Sequence, residues 1–205
     1  MIPNILINLS RLGFLIFLIF QALNLKGILN FQPTFSWEGL ITTSLFIWFS
    51  VEFIHYYLKN RNLRSLSSFV FVLGFIPTSV DFFGDILHFY DRFYWYDRAA
   101  HFSAASSLAI LALIILSNLR KKNYFNWSLV MLLFIVFSVT LIGGVFYEIE
   151  EYLEDRLYWS RQLRLGDGPD TVEDIMFDAF GGLFVTWTAF IYQKVKNARK
   201  NSSAS

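Results

Sequence analysis

The chain of 205 residues is 55% hydrophobic and 20% aromatic but only 16% charged, with four prolines and no cysteine. A soluble domain carries about 25% charged residues, so the composition excludes a disordered chain and argues against a water-soluble one. The absence of cysteine excludes thiolate catalysis, disulfides and cysteine-ligated zinc or iron–sulfur sites, and a net charge of +1 offers no electrostatic footprint for nucleic acid.

A helix needs roughly 20 residues to cross roughly 30 Å of hydrocarbon. Six such segments are expected in chain order, at 10–30, 38–58, 65–84, 99–118, 125–148 and 171–192. The expected fold is therefore an all-α polytopic membrane bundle of approximately six transmembrane helices. It forms one integral-membrane domain over 1–205, with the polar-site core in 65–190. The first segment has only Arg11 ahead of its long apolar stretch and no small-residue cleavage site, so it reads as an anchor and not a signal peptide. The third and sixth are less apolar, because Pro77 and Asp81 lie in one and Glu173, Asp174 and Asp178 in the other. Carboxylates at such depth should face protein or water. Gly143-Gly144 and Gly181-Gly182 have no nucleotide-binding spacing and are expected to let helices pack closely or to give local flexibility.

With six crossings, Arg11, then Lys59, Arg61 and Arg64, then Arg120, Lys121 and Lys122, and finally Lys194, Lys196, Arg199 and Lys200 fall on one side. Lys26, Arg92, Arg98, Arg156, Arg161 and Arg164 fall on the other. The basic excess predicts a cell-membrane protein with both termini cytoplasmic. Trp37, Trp95, Tyr96, Trp127, Tyr152, Tyr158 and Trp159 fit interfacial aromatic belts.

Every acidic residue except Glu52 is assigned near or beyond the extracytoplasmic face. Asp81 and Asp85 are four apart, as are Asp97 and His101, so each pair shares a helical face. An Asp/His pair supplies oxygen and nitrogen ligands to a cation or supports proton transfer; alternatively Asp97 is an N-cap and His101 a hydrogen-bonded core residue. Glu148, Glu151 and Asp155 share a face, and Glu150 and Glu154 point elsewhere. This negative charge near a helix C-terminus requires a cation, a basic partner, protonation or solvent. Gly168-Pro169 reads as a turn and Asp170 as an N-cap with Glu173 completing a capping box, which leaves Asp174 and Asp178 unexplained. Arg98 and Arg164 are candidates to neutralise acids or bind phosphate. Glu52 and His55 form a separate pair that satisfies local packing or extends a proton route toward the cytoplasm.

The order Tyr96-Asp97-Arg98-Ala99-Ala100-His101-Phe102, Tyr147-Glu148-Ile149-Glu150-Glu151, then Asp167 and Asp170-Thr171-Val172-Glu173-Asp174 resembles the YjdF/DUF2238 family of small multi-pass prokaryotic membrane proteins. It is more distantly similar to VanZ-like proteins. The resemblance covers roughly 65–190. It implies a recurring polar membrane architecture without a secure biochemical activity. Alanines flank His101 where a glycine is often expected, and Val172 or Glu173 stands in place of a tryptophan.

The expected site holds a divalent cation of unspecified identity, with Asp97, His101, Glu148, Glu151, Asp174 and Asp178 as ligands and Asp81, Asp85, Asp155 and Asp170 around them. Asp97, His101, Glu148 and Glu151 are the expected catalytic groups in metal-assisted processing of a lipid-linked or phosphate substrate, with Arg98 and Arg164 binding its charge. Membrane lipids are the expected surroundings. Cation- or proton-coupled transport, and a structural or accessory role, are the alternative functions.

Overall fold

A chain in hydrocarbon must satisfy its own backbone N–H and C=O groups, and this one does so with helices. The computed structural model describes residues 2–60, 63–159, 164–166 and 168–202. Arg61, Arg161 and Asp167, and the side chains of Arg64, Tyr158 and Trp159, lie outside the described residues. The helices are α1 (Ile2–Leu25), α2 (Trp37–Asn60), α3 (Ser67–Ile86), α4 (Phe89–Arg92), α5 (Tyr96–Lys121), α6 (Leu129–Glu154) and α7 (Gly168–Ser202). A 3-10 turn, Arg64–Leu66, leads into α3, and a π-helical turn, Asp155–Trp159, follows α6. Three bounds differ from expectation. α1 ends at Leu25, where the chain turns through Gly27 at φ 69°; α4 occupies the third connection; and α7 runs on as an exposed basic tail.

The bundle has two halves that share the α3–α5 contact. α1, α2 and α3 pack together around aromatic rings, with Phe17 stacked on Phe82 at 4.1 Å and Phe14 edge-on to Phe75 at 5.2 Å. α5, α6 and α7 pack together over Ala109, Ala112, Leu132, Leu133, Val136 and Val185. Much large apolar surface points outward, including Leu12, Ile16, Phe134, Ile142 and Trp187, as a bilayer-facing surface requires. Trp37 and Tyr96 do not join an outer belt: Trp37 is buried edge-on to Phe20, and the Tyr96 hydroxyl donates to the Val80 carbonyl at 2.9 Å.

Five long helices, α1, α3, α5, α6 and α7, are long and apolar enough to cross a membrane. α2 is equally long, but polar Thr43, Ser44 and Glu52 lower its hydropathy. Thr43 and Ser44 are buried, while Phe46, Phe49 and Phe53 on the outer face are 68–71% exposed. Its polar content is thus turned toward the protein.

The second helix also corrects the reading of two charges. Arg11 is not a free flank, nor is Glu52 chiefly the partner of His55. The Arg11 Nε and Nη2 atoms donate to the two Glu52 oxygens, both at 2.6 Å, and Trp48 Nε1 donates to Glu52 Oε1 at 3.2 Å. The bidentate match neutralises both groups between α1 and α2. His55 lies edge-on to Phe71, at 5.5 Å between ring centroids. Because the pair is only part-buried, Glu52→Gln is expected to cost on the order of 1–2 kcal/mol by leaving Arg11 uncompensated. Arg11→Gln with Glu52→Gln should recover most of that. Melting in detergent checks this, and equal melting of the single variant and the parent would remove the pair's structural role.

Candidate metal centre

Three helices deliver the central groups to one end of the second half. Asp97 and His101 come from the first turns of α5, Glu148 and Glu151 from the last turns of α6, and Asp174 and Asp178 from the first turns of α7. Glycines let the helices come close enough. A Cβ on Gly181 would meet the Phe102 carbonyl oxygen at 2.7 Å and Ala105 Cβ at 3.0 Å, and a Cβ on Gly144 would occupy the place of the Asp178 carboxylate. The two glycine pairs therefore pack helices, as their spacing suggested.

His101 is the hub, 4% exposed. Its Nδ1 lies 3.4 Å from Asp178 Oδ2. An ionised carboxylate only accepts, so in the neutral ring that binding a metal requires, this contact puts the proton on Nδ1 and leaves the Nε2 lone pair to face the opposite way. On the Nε2 side lie Asp97 Oδ1 at 3.8 Å, Glu148 Oε1 at 3.8 Å and Asp174 Oδ2 at 4.0 Å. Glu148 is 5% exposed and Asp174 2%, yet both Glu148 oxygens and Asp174 Oδ1 have no hydrogen-bond partner. Buried carboxylates in that condition need a proton, a water or a cation. Asp97, with 31% of its side chain exposed, reaches toward the surface.

One donor atom each from Asp97, His101 and Asp174 lie within 4.8 Å of one another. Ligands about 2.1 Å from one tetrahedral ion stand about 3.4 Å apart, so a small contraction brings the three into coordination range. The set of two carboxylates and one imidazole suits a divalent ion of the manganese-to-zinc kind better than an all-oxygen set would. Asp178 has the usual place of a group that orients a ligating histidine through its other nitrogen.

Glu151 belongs to a second centre built on Arg164. That guanidinium, with 3% of its side chain exposed, has Glu151 at 3.3 Å, Asp81 at 3.7 Å and Glu154 at 3.8 Å, and its Nη2 donates to the Tyr147 hydroxyl at 2.7 Å. Burial opposes its charge, but Tyr147, Asp81, Glu151 and Glu154 outweigh that and raise its pKa, so Arg164 stays a cation. Asp155 accepts the backbone amides of Arg164 and Leu165 at 3.1 Å, which fixes the chain carrying the guanidinium. Phe35 and Tyr147 lie against its planar face. The Tyr147 ring also stands edge-on to His101 at 5.5 Å, joining the two centres.

The remaining acids have separate partners. Asp81 accepts from the Tyr90 hydroxyl at 3.0 Å, and burial first, then Asp81, pushes that phenol up so that it remains a donor. Asp85 accepts the Phe35 amide at 3.0 Å, and the neighbouring Thr34 hydroxyl donates to the Asp85 carbonyl at 3.1 Å. The 31–36 connection is thereby tied across the acidic end. Asp97 lies inside α5 and is not its N-cap, which is Trp95. Asp170 is likewise inside α7, because Gly168-Pro169 starts the helix instead of forming a separate turn, as the preset φ of proline permits. Glu173 makes no capping box with Asp170: it pairs with Arg98, whose Nε donates to it at 2.6 Å. Arg98 also lies 3.7 Å from Asp170. Both arginines expected to meet substrate are thus already among carboxylates. An open apolar groove lined by Phe46, Phe49, Ser50, Phe53 and Ile54 is on the outer face of α2.

Tyr90 and Phe35 were not singled out from the sequence, and Tyr147, named only within its segment, was given no role, because each looks like an ordinary membrane aromatic. The adjacency of Tyr147 to Glu148 was the available signal.

A family described as a predicted membrane protein, DUF2238, matches residues 11–195. The chain belongs to the DUF2238 family. This DUF2238 member is 25% identical over 140 residues to an uncharacterized protein of Thermotoga maritima, which covers 68% of this chain. The match spans 66% of that relative's length, just under two thirds. No solved structure matches the chain. The family supports membrane location and a multi-pass fold, and neither match bears on the VanZ-like similarity.

The glycine contacts are directly testable. Gly181→Ala meets backbone of α5 and is expected to cost about 1–3 kcal/mol, whereas Gly182→Ala, whose nearest atoms are side-chain carbons at 3.2 Å, should cost less. Thermal unfolding of the two variants in detergent measures the difference; equal costs would contradict the close α5–α7 approach.

Proposed function

We propose that this DUF2238 member holds a divalent cation between Asp97, His101 and Asp174 and uses it on a lipid-linked or phosphate substrate at the membrane surface. The observation that carries the reading is the two-sided placement of His101, with Nδ1 on Asp178 and Nε2 toward three carboxylates. Asp178 holds the imidazole tautomer and ring orientation. Glu148, adjacent to Nε2 and without a hydrogen-bond partner, is the group that accepts a proton from water. Bound there, a divalent ion would polarise a phosphoryl oxygen and acidify water. Glu151 supports the site through Arg164 and Tyr147. Since Arg98 and Arg164 are surrounded by acids, substrate charge is assigned to the cation instead of to either guanidinium.

Transport finds less support, because the route considered through Glu52 is occupied by its bidentate partner Arg11. In the proposed topology α2 crosses as well, which brings the five more apolar spans to six; the exposed basic end carrying Lys59, Lys121 and Lys194 is cytoplasmic, and the acidic centre faces the other side.

Metal-free protein in detergent should bind one cobalt(II) ion per chain with visible absorption bands. His101→Ala and Asp174→Asn should abolish the bands, and Asp178→Asn should weaken binding about 10–100-fold. Glu148→Gln should retain the ion and lose metal-dependent hydrolysis of a lipid phosphate probe. Absence of binding, or binding indifferent to His101→Ala, would overturn the assignment.

Topology has its own test, made clean by the absence of cysteine. In intact cells, an impermeant maleimide should label Asp91→Cys, near the acidic end, but not Asn123→Cys or Asn197→Cys. The reverse pattern would invert the proposed orientation.

A further inference from the structure

A separate pair of carboxylates lies at the seam between the two halves, where the end of α6 meets the start of α2. Glu150 and Glu154 are one turn apart on α6. Both carboxyl groups reach the first turns of α2, Glu150 at Thr43 and Glu154 at Gly39. Glu154 is 3% exposed, and neither of its oxygens has a hydrogen-bond partner. Glu150 Oε2 is buried in the same condition, while Oε1 accepts from Thr43 Oγ1 at 3.3 Å.

The surroundings leave a pocket of oxygens with too little positive charge. Gly39 opens the space: a Cβ there would clash with Glu154 Oε2 and stand 2.8 Å from Ser36 Oγ. Ser36 Oγ accepts the Gly39 amide at 2.9 Å, so its hydroxyl stays beside the carboxylate. The positive end of α2 favours an anion there but donates no hydrogen bond to Glu154. Arg164 Nη1 stands 3.8 Å from Glu154 Oε2, too far for a hydrogen bond, and the same guanidinium serves Asp81 and Glu151.

We propose that Glu150 and Glu154, with the hydroxyls of Thr43 and Ser36, form a second site that binds a hard divalent cation, calcium or magnesium. An all-oxygen set with two carboxylates suits such ions, whereas the imidazole of the first centre suits a softer one. Bound there, the ion bridges α2 to α6 and ties the two halves of the bundle together. This inference is independent of the chemistry proposed for His101.

Terbium(III) is a suitable probe because Trp37 begins α2 next to the site and can sensitise its luminescence. Full-length, metal-free protein in detergent should show saturable terbium luminescence that calcium displaces, and calcium should raise the melting temperature. Glu150→Gln and Glu154→Gln should each weaken terbium binding at least tenfold. Thr43→Val, which keeps both carboxylates, should weaken it several-fold and guards against misfolding of the charge variants. His101→Ala should leave terbium binding unchanged while removing the cobalt bands, which separates this site from the first. No displaceable luminescence, or luminescence indifferent to all three seam variants, would overturn the proposal in favour of a carboxyl pair sharing a proton. Loss of terbium binding with His101→Ala would overturn it in favour of a single centre.

Discussion

A buried carboxylate at the end of a membrane helix must find a proton, a donor or a cation, because hydrocarbon and close-packed side chains solvate none of its charge. This constraint governs the whole acidic end of the protein. Asp81, Asp85, Asp97, Glu148, Glu150, Glu151, Glu154, Asp155, Asp174 and Asp178 crowd one end of the bundle, and the described basic side chains placed among them are chiefly His101 and Arg164. Each base organises its own neighbourhood, and Tyr147 touches both. The groups left over are specific ones. Both oxygens of Glu148 and one of Asp174 have no hydrogen-bond partner near the imidazole, and at the α2–α6 seam the same holds for both oxygens of Glu154 and one of Glu150.

The architecture makes this crowding sterically attainable. Helices of ordinary surface pack about 8–10 Å apart, which side chains normally enforce. Glycine removes that spacing locally: Gly181 lets α7 approach the α5 backbone, Gly144 makes room for Asp178, and Gly39 makes room for Glu154. At these three places a glycine stands where a carboxylate or a backbone enters the space between helices. The opposite end follows a simpler rule. Its described basic side chains are mostly exposed, and Arg11, which is part-buried, is matched bidentately by Glu52.

Much of this was legible along the chain. The 129–154 helix announces itself by a long charge-free run, and the four-residue spacings of Asp97 to His101 and Asp174 to Asp178 place each pair on one face before any coordinates are known. Other assignments changed because local patterns compete with partners distant in sequence. Glu173 has the spacing of a capping-box residue relative to Asp170 but is drawn to Arg98, 75 positions away. Glu52 is one turn from His55 yet meets Arg11 across 41 positions. Asp178 looks equivalent to Asp174 in sequence, and only the direction of the imidazole separates the residue that orients the ring from those that face its free nitrogen.

The sequence alone determined that this is a helical membrane protein, that its acids gather at one end with the excess of basic residues at the other, and that His101 lies among the acids. Length, hydropathy and helical period are properties of a single segment, so they can be read without knowing its neighbours. Which carboxylate meets the imidazole, which meets the guanidinium and which meets neither was decided by tertiary structure, because ion pairing depends on distances of a few ångströms between different helices. That partition turns an acidic end into two distinct candidate cation sites, one with nitrogen among its ligands and one built from oxygen alone.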